Sequence, residues 1–99
     1  MADSKVLKNL MEAFAGESQA SRKYTAYAKK AEAEGKKNAA KLFRAASEAE
    51  TLHAQRHLDV AGKILSTAEN LQDAVKGETY EYESMYPEFL KTAEEEGNK

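Results

Sequence analysis

The chain has 99 residues, of which 32% are charged and 41% hydrophobic, with a net charge of −2. That length holds one domain at most, and the composition is too apolar for a disordered chain. The lack of cysteine excludes disulfides, thiolate zinc sites and iron–sulfur clusters, and the near-neutral charge argues against a nucleic-acid partner.

The first helix is expected over residues 4–34, capped by Asp3 or Ser4. Its seam runs Leu7, Leu10, Phe14, Glu17, Ser21, Tyr24, Ala28 and Ala31. Steps of three and four keep one face toward a neighbouring helix. Gly35 is expected to stop it. A second helix is expected over 37–65, with the seam Ala39, Phe43, Ala46, Glu50, His53, His57, Val60 and Ile64. Ser66-Thr67-Ala68-Glu69 has the form of a capping box, and a third helix is expected over about 69–96. Its seam runs Leu71, Ala74, Glu78, Glu81, Met85, Phe89 and Ala93, and Gly97 ends it. Pro87 lies inside this pattern and should kink it or mark an irregularity. Helices of this length extend roughly 40 Å. No run of about 18 apolar residues is present, so no membrane span is expected. The segment Met1-Ala2-Asp3-Ser4-Lys5 has no signal-peptide core, so a cytoplasmic location is the expectation.

The third helix repeats the first. Gly16-Glu17-Ser18 returns as Gly77-Glu78-Thr79, and Tyr24 returns as Tyr86. Ala31-Glu32-Ala33-Glu34-Gly35 returns as Ala93-Glu94-Glu95-Glu96-Gly97. The first match is offset by 61 residues and the later ones by 62. One extra residue therefore lies between Glu78 and Tyr86, and a π-bulge is one way to absorb it. By the logic of the repeat, a copy of the second helix should follow. The expectation is an all-α chain that supplies three long helices of a four-helix bundle. The rest would come from another chain or from a longer protein.

Glu17, Glu50, Glu78 and Glu81 all fall on apolar seams. A single such Glu would be read as facing water. Four of them, with His53 three residues after Glu50, need a different account. Buried carboxylates without compensation cost several kcal/mol each, on the order of the penalty for any unpaired buried ion. No Lys or Arg shares these seam positions, whereas two divalent cations would balance four carboxylates. Residues three apart share a helix face, so Glu50-x-x-His53 and Glu78-x-x-Glu81 each present two donors to one point. Di-metal bundles use one Glu from each of two helices and Glu-x-x-His from each of the other two. Oxygen-rich ligation with imidazole suits iron or manganese better than structural zinc. His57, one turn beyond His53, reads as a helix-end histidine bonded to solvent or a neighbour, with a reserve or supporting metal ligand as the alternative. Tyr27, Tyr80, Tyr82 and Phe89 read as packing residues.

These residues resemble the rubrerythrins, a family within the ferritin-like superfamily. The resemblance rests on Asn9-Leu10-Met11-Glu12-Ala13-Phe14-Ala15-Gly16-Glu17-Ser18-Gln19-Ala20 and on Glu50-Thr51-Leu52-His53-Ala54. It continues through Gly77-Glu78-Thr79-Tyr80-Glu81-Tyr82 and Met85-Tyr86-Pro87-Glu88-Phe89. It implies a ferritin-like bundle with a non-haem centre of two iron ions, open to manganese or zinc substitution. It further implies reduction of hydrogen peroxide to water in oxidative-stress defence. By that resemblance Glu17, Glu50, His53, Glu78 and Glu81 are metal ligands, with one iron moving between His53 and Glu81 as the centre changes redox state. Tyr24 and Tyr86 match tyrosines that flank the centre. Many members also carry a four-cysteine rubredoxin-like domain. Without cysteine, electrons would come from a separate rubredoxin-like donor. A homodimer, with or without exchanged helices, is the expected assembly. Two other functions fit the same residues: a ferroxidase or iron-handling protein, and a metal-free helical interaction module.

Overall fold

In a computed structural model, which describes residues 4–97, every regular element is helical. The elements are α1 (Ser4–Ala33), α2 (Lys37–Val60), α3 (Thr67–Tyr80), a five-residue π segment (Glu81–Met85) and α4 (Tyr86–Glu95). The fold class expected from the seams is therefore the one observed: three long helices, with no strand among the described residues. Asp3, one of the two candidate caps of α1, lies outside the described residues, and Ser4 is the first residue of the helix. The chain divides into two compact units, Met1–Ile64 and Leu65–Lys99.

The first unit is a helical hairpin. Gly35 ends α1 with a φ of +76°, a left-handed conformation that costs glycine nothing. Lys36 N–H donates to the Ala31 carbonyl and Gly35 N–H to the Glu32 carbonyl, the paired bonds of a Schellman stop. The chain reverses within three residues and α2 runs back antiparallel, with Arg44 bonded to Glu32 at 2.5 Å near the turn.

The helices meet along small residues. Ser21, Ala28 and Ala31 are buried on α1, and Ala40, Ser47 and Ala54 on α2. Side chains this short let the two backbones approach closely. The α1 seam is as expected, every member being buried or half-buried. The α2 seam is half-buried at Ala39, Phe43, Ala46, Glu50 and His57, whereas His53 is exposed. The most deeply buried residues, Ala40, Ser47 and Ala54, lie one position beyond it. Four hydroxyls replace a greasy core at its centre. Ser47 Oγ donates to the Ser21 carbonyl at 2.9 Å and lies 2.8 Å from Thr25 Oγ1, while Ser21 Oγ lies 2.6 Å from Thr51 Oγ1. Each buried hydroxyl is thus satisfied, as burial requires. Tyr24, Tyr27 and Phe43 cluster beside this stripe, Tyr27 and Phe43 edge-to-face at 5.5 Å.

The α2 helix ends earlier than expected. It stops at Val60, not residue 65, because Gly62 takes a φ of +74°. The same paired bonds recur, Gly62 N–H to Asp59 and Lys63 N–H to Leu58. Val60 and Ile64, expected on the seam, are exposed.

The second unit opens on the capping box. Ser66 Oγ accepts from Glu69 N–H and donates to Glu69 Oε1 at 2.8 Å. Asn70 grips Leu65 through both its N–H and its carbonyl. The extra residue counted from the repeat is absorbed by the π segment, where Tyr86 N–H reaches five residues back to the Glu81 carbonyl. Pro87 follows at once and has no N–H to give to the preceding turn. No described residue of this unit is buried.

Candidate metal centre

Glu17 lies at the middle of α1 and Glu50 and His53 lie past the middle of α2, so the antiparallel hairpin brings them level. Their donor atoms all lie within 4.8 Å of one another, and they form the single group of this kind among the described residues. His53 Nδ1 is 3.2 Å from Glu17 Oε1 and 3.7 Å from Glu50 Oε1. The two carboxylates are about three-quarters buried, whereas the His53 side chain is 56% exposed. Burial on this scale disfavours two adjacent carboxylates unless a cation or donor compensates them.

The compensation is incomplete. Glu17 Oε2 is buried and accepts no hydrogen bond. His57 Nε2 touches that oxygen, but without the alignment a hydrogen bond needs. An orphaned, buried carboxylate oxygen beside two imidazoles is what a cation site presents when only its protein ligands are considered. The donor set of carboxylate and imidazole fits a divalent transition metal.

The remaining predicted site residues occupy the second unit or the flank of the first. Glu78 is exposed near the end of α3, and Glu81 is half-buried at the start of the π segment. Tyr24 is half-buried, its ring 6.2 Å from both Tyr27 and Phe43. Tyr86 opens α4 and is 56% exposed. The reading of the seams missed the contact between His57 and Glu17. Its signal was present: His57 shares the α2 face of Glu50 and His53 at spacings of seven and four.

An all-α chain of long helices, carrying a Glu, Glu, His cluster between two of them, defines a carboxylate-rich metal-binding helical protein of the ferritin-like class. The comparisons narrow the class. A family model described as Rubrerythrin matches residues 8–99, and the chain belongs to the rubrerythrin family. It is 44% identical to a rubrerythrin of Porphyromonas gingivalis, over 97% of this chain and 54% of that protein. It is 38% identical to rubrerythrin-1 of Clostridium acetobutylicum, over 97% of this chain and 58% of that protein. It is also 38% identical to nigerythrin of Nitratidesulfovibrio vulgaris, over 99% and 58% respectively. The chain thus spans little more than half the length of these curated relatives. None of the helices among the described residues is long and apolar enough to cross a membrane.

Proposed function

We propose that this chain forms part of a non-haem di-iron peroxidase that reduces hydrogen peroxide to water. Glu17, Glu50 and His53 would hold one iron, and Glu78 and Glu81 would bring the second unit's carboxylates to the same centre. The domain would then comprise residues 1–99 and be completed by further ligands from another chain or a longer protein. The observation that carries the reading is the Glu17–Glu50–His53 cluster, with its orphaned carboxylate oxygen, in a chain of the rubrerythrin family.

Two ferrous ions would supply the two electrons that split the O–O bond, the balance being one peroxide, two protons and two electrons to two waters. The chain's own part is to bind and orient. Four carboxylates offset the charge of two divalent cations. The hairpin sets Glu17 and Glu50 before any ligand arrives, so little is lost in ordering them. The Tyr24 and Tyr86 hydroxyls would orient the substrate by hydrogen bonding. The reducing electrons would arrive from a rubredoxin-like donor, no cysteine lying within these 99 residues. The expected assembly is a homodimer, with or without exchanged helices.

Stopped-flow oxidation of the anaerobic, ferrous-loaded protein tests this. Hydrogen peroxide should oxidise two iron ions per peroxide, and faster than oxygen does. Faster reaction with oxygen, with release of ferric product, would instead mark a ferroxidase.

A further inference from the structure

We propose that His57 is a positioning residue for the metal centre: its ring N–H donates to Glu17 Oε2 once a cation is bound, and so leaves Oε1 as the oxygen that Glu17 gives to the metal. The proposal rests on the metal-centre reading above. It concerns a residue outside the Glu17, Glu50 and His53 donor cluster.

Glu17 faces two histidines one turn apart on α2, and each meets a different oxygen. His53 Nδ1 is 3.2 Å from Oε1, and His57 Nε2 touches Oε2. Of the two rings, only His53 belongs to the donor cluster. His57 is the better sheltered, its side chain 31% exposed against 56% for His53. Glu17 is its one ion-pair partner among the described residues.

A cation at the cluster offsets the charge of Glu17, but it leaves Oε2 buried and still in need of a donor. The nitrogen beside that oxygen is His57 Nε2. In the metal-free chain the two atoms meet out of line, and no hydrogen bond is made. A bound metal restricts the carboxylate, and a turn of the imidazole then completes the bond. Ligating carboxylates are themselves hydrogen-bonded by neighbouring groups, which orient them and tune the metal. Held at Oε2, Glu17 is a one-oxygen ligand. Released, it is free to turn and chelate with both oxygens. His57 thereby sets how Glu17 binds without binding the metal itself.

The test uses the full chain with nitrogen-labelled histidines, read by long-range proton–nitrogen NMR with and without zinc(II). In the zinc-loaded wild type, His53 should show a metal-bound ring nitrogen. His57 should show a proton on Nε2 that exchanges with water more slowly than in the metal-free chain. A His57 Nε2 without a proton, or an N–H that exchanges equally fast in both states, overturns the proposal. Two variants separate positioning from packing. His57→Gln keeps an N–H at about the reach of Nε2 and should bind zinc nearly as tightly as wild type. His57→Leu fills the space without a donor and should bind on the order of 10-fold more weakly, as when a supporting group is lost. Equal affinity in all three proteins, or an equal loss in both variants, overturns the proposal. If Glu50→Ala and His53→Ala still lose zinc in that event, the metal-centre reading stands and this proposal alone falls. A wild type that binds no zinc sinks both.

Discussion

Glu50 is best understood as a residue whose burial works against the metal-free protein. Its carboxylate is about three-quarters buried, and its nearest cationic candidate, His53 Nδ1, is 3.7 Å away. Replacing it with alanine removes a desolvated charge and a metal ligand together. Glu50→Ala should therefore weaken metal binding on the order of 100-fold or more. The melting temperature of the metal-free protein should stay unchanged or rise. Paired melts with and without metal check this, and a metal-free variant that melts lower while still binding metal would contradict it. Ser47 makes the opposite case. Its hydroxyl joins Ser21 and Thr25 across the helix interface. Ser47→Ala should cost about 1–3 kcal/mol in urea unfolding, because Thr25 and Ser21 lose a buried partner. Glu17, Glu50 and His53 were legible in the sequence because polar residues at seam spacing need a reason. The hydroxyl cluster was not. Ser and Thr are unremarkable in a helix, and Ser47 sits one position beyond the apolar seam, beside Ala46.

At the scale of elements, the sequence gives most about periodicity and least about where helices end. The offset between repeats changes from 61 to 62 between Glu78 and Tyr86, and the π segment lies between them. An insertion cannot be absorbed by a regular helix without turning every later side chain by about 100°, so a wider turn was the available solution. The end of α2 was misjudged because Val60 and Ile64 continue the apolar spacing, while Gly62 between them breaks the helix. Side-chain pattern and backbone preference conflict there, and the backbone wins. A β-carbon at Gly62 would meet no atom within 4 Å, so the cost of adding one is purely conformational. Gly62→Ala should destabilise the protein by about 1 kcal/mol through its positive φ, with metal affinity unchanged. Equal stability of variant and wild type in chemical denaturation would mean that the turn adopts another conformation.

The whole molecule raises a question of reach. None of the described residues of the second unit is buried, and Leu71, Val75, Phe89 and Leu90 are each about three-fifths exposed. A helical run of this kind gains its stability from packing and not from propensity. The connection over residues 61–66 spans at most about 20 Å when extended, against about 36 Å for α2. If Glu78 is to stand level with Glu50, α3 must double back antiparallel on its own chain or serve the hairpin of a second one. Exchange between two chains makes a distinctive prediction. Glu50→Ala and Glu78→Ala should each lose iron when prepared alone. Unfolded together and refolded as a mixture, they should form some dimers with one intact site, built from the unmutated hairpin of one chain and the unmutated third helix of the other. The other site in such a dimer carries both defects. Within a non-exchanged dimer every site keeps one defect, and no mixture regains iron. Iron content of the refolded mixture against its two parents, with the dimer mass checked by light scattering, separates the two arrangements. Recovery approaching one site per mixed dimer is the outcome expected of exchange. A mixture no better than its parents assigns each chain its own third helix.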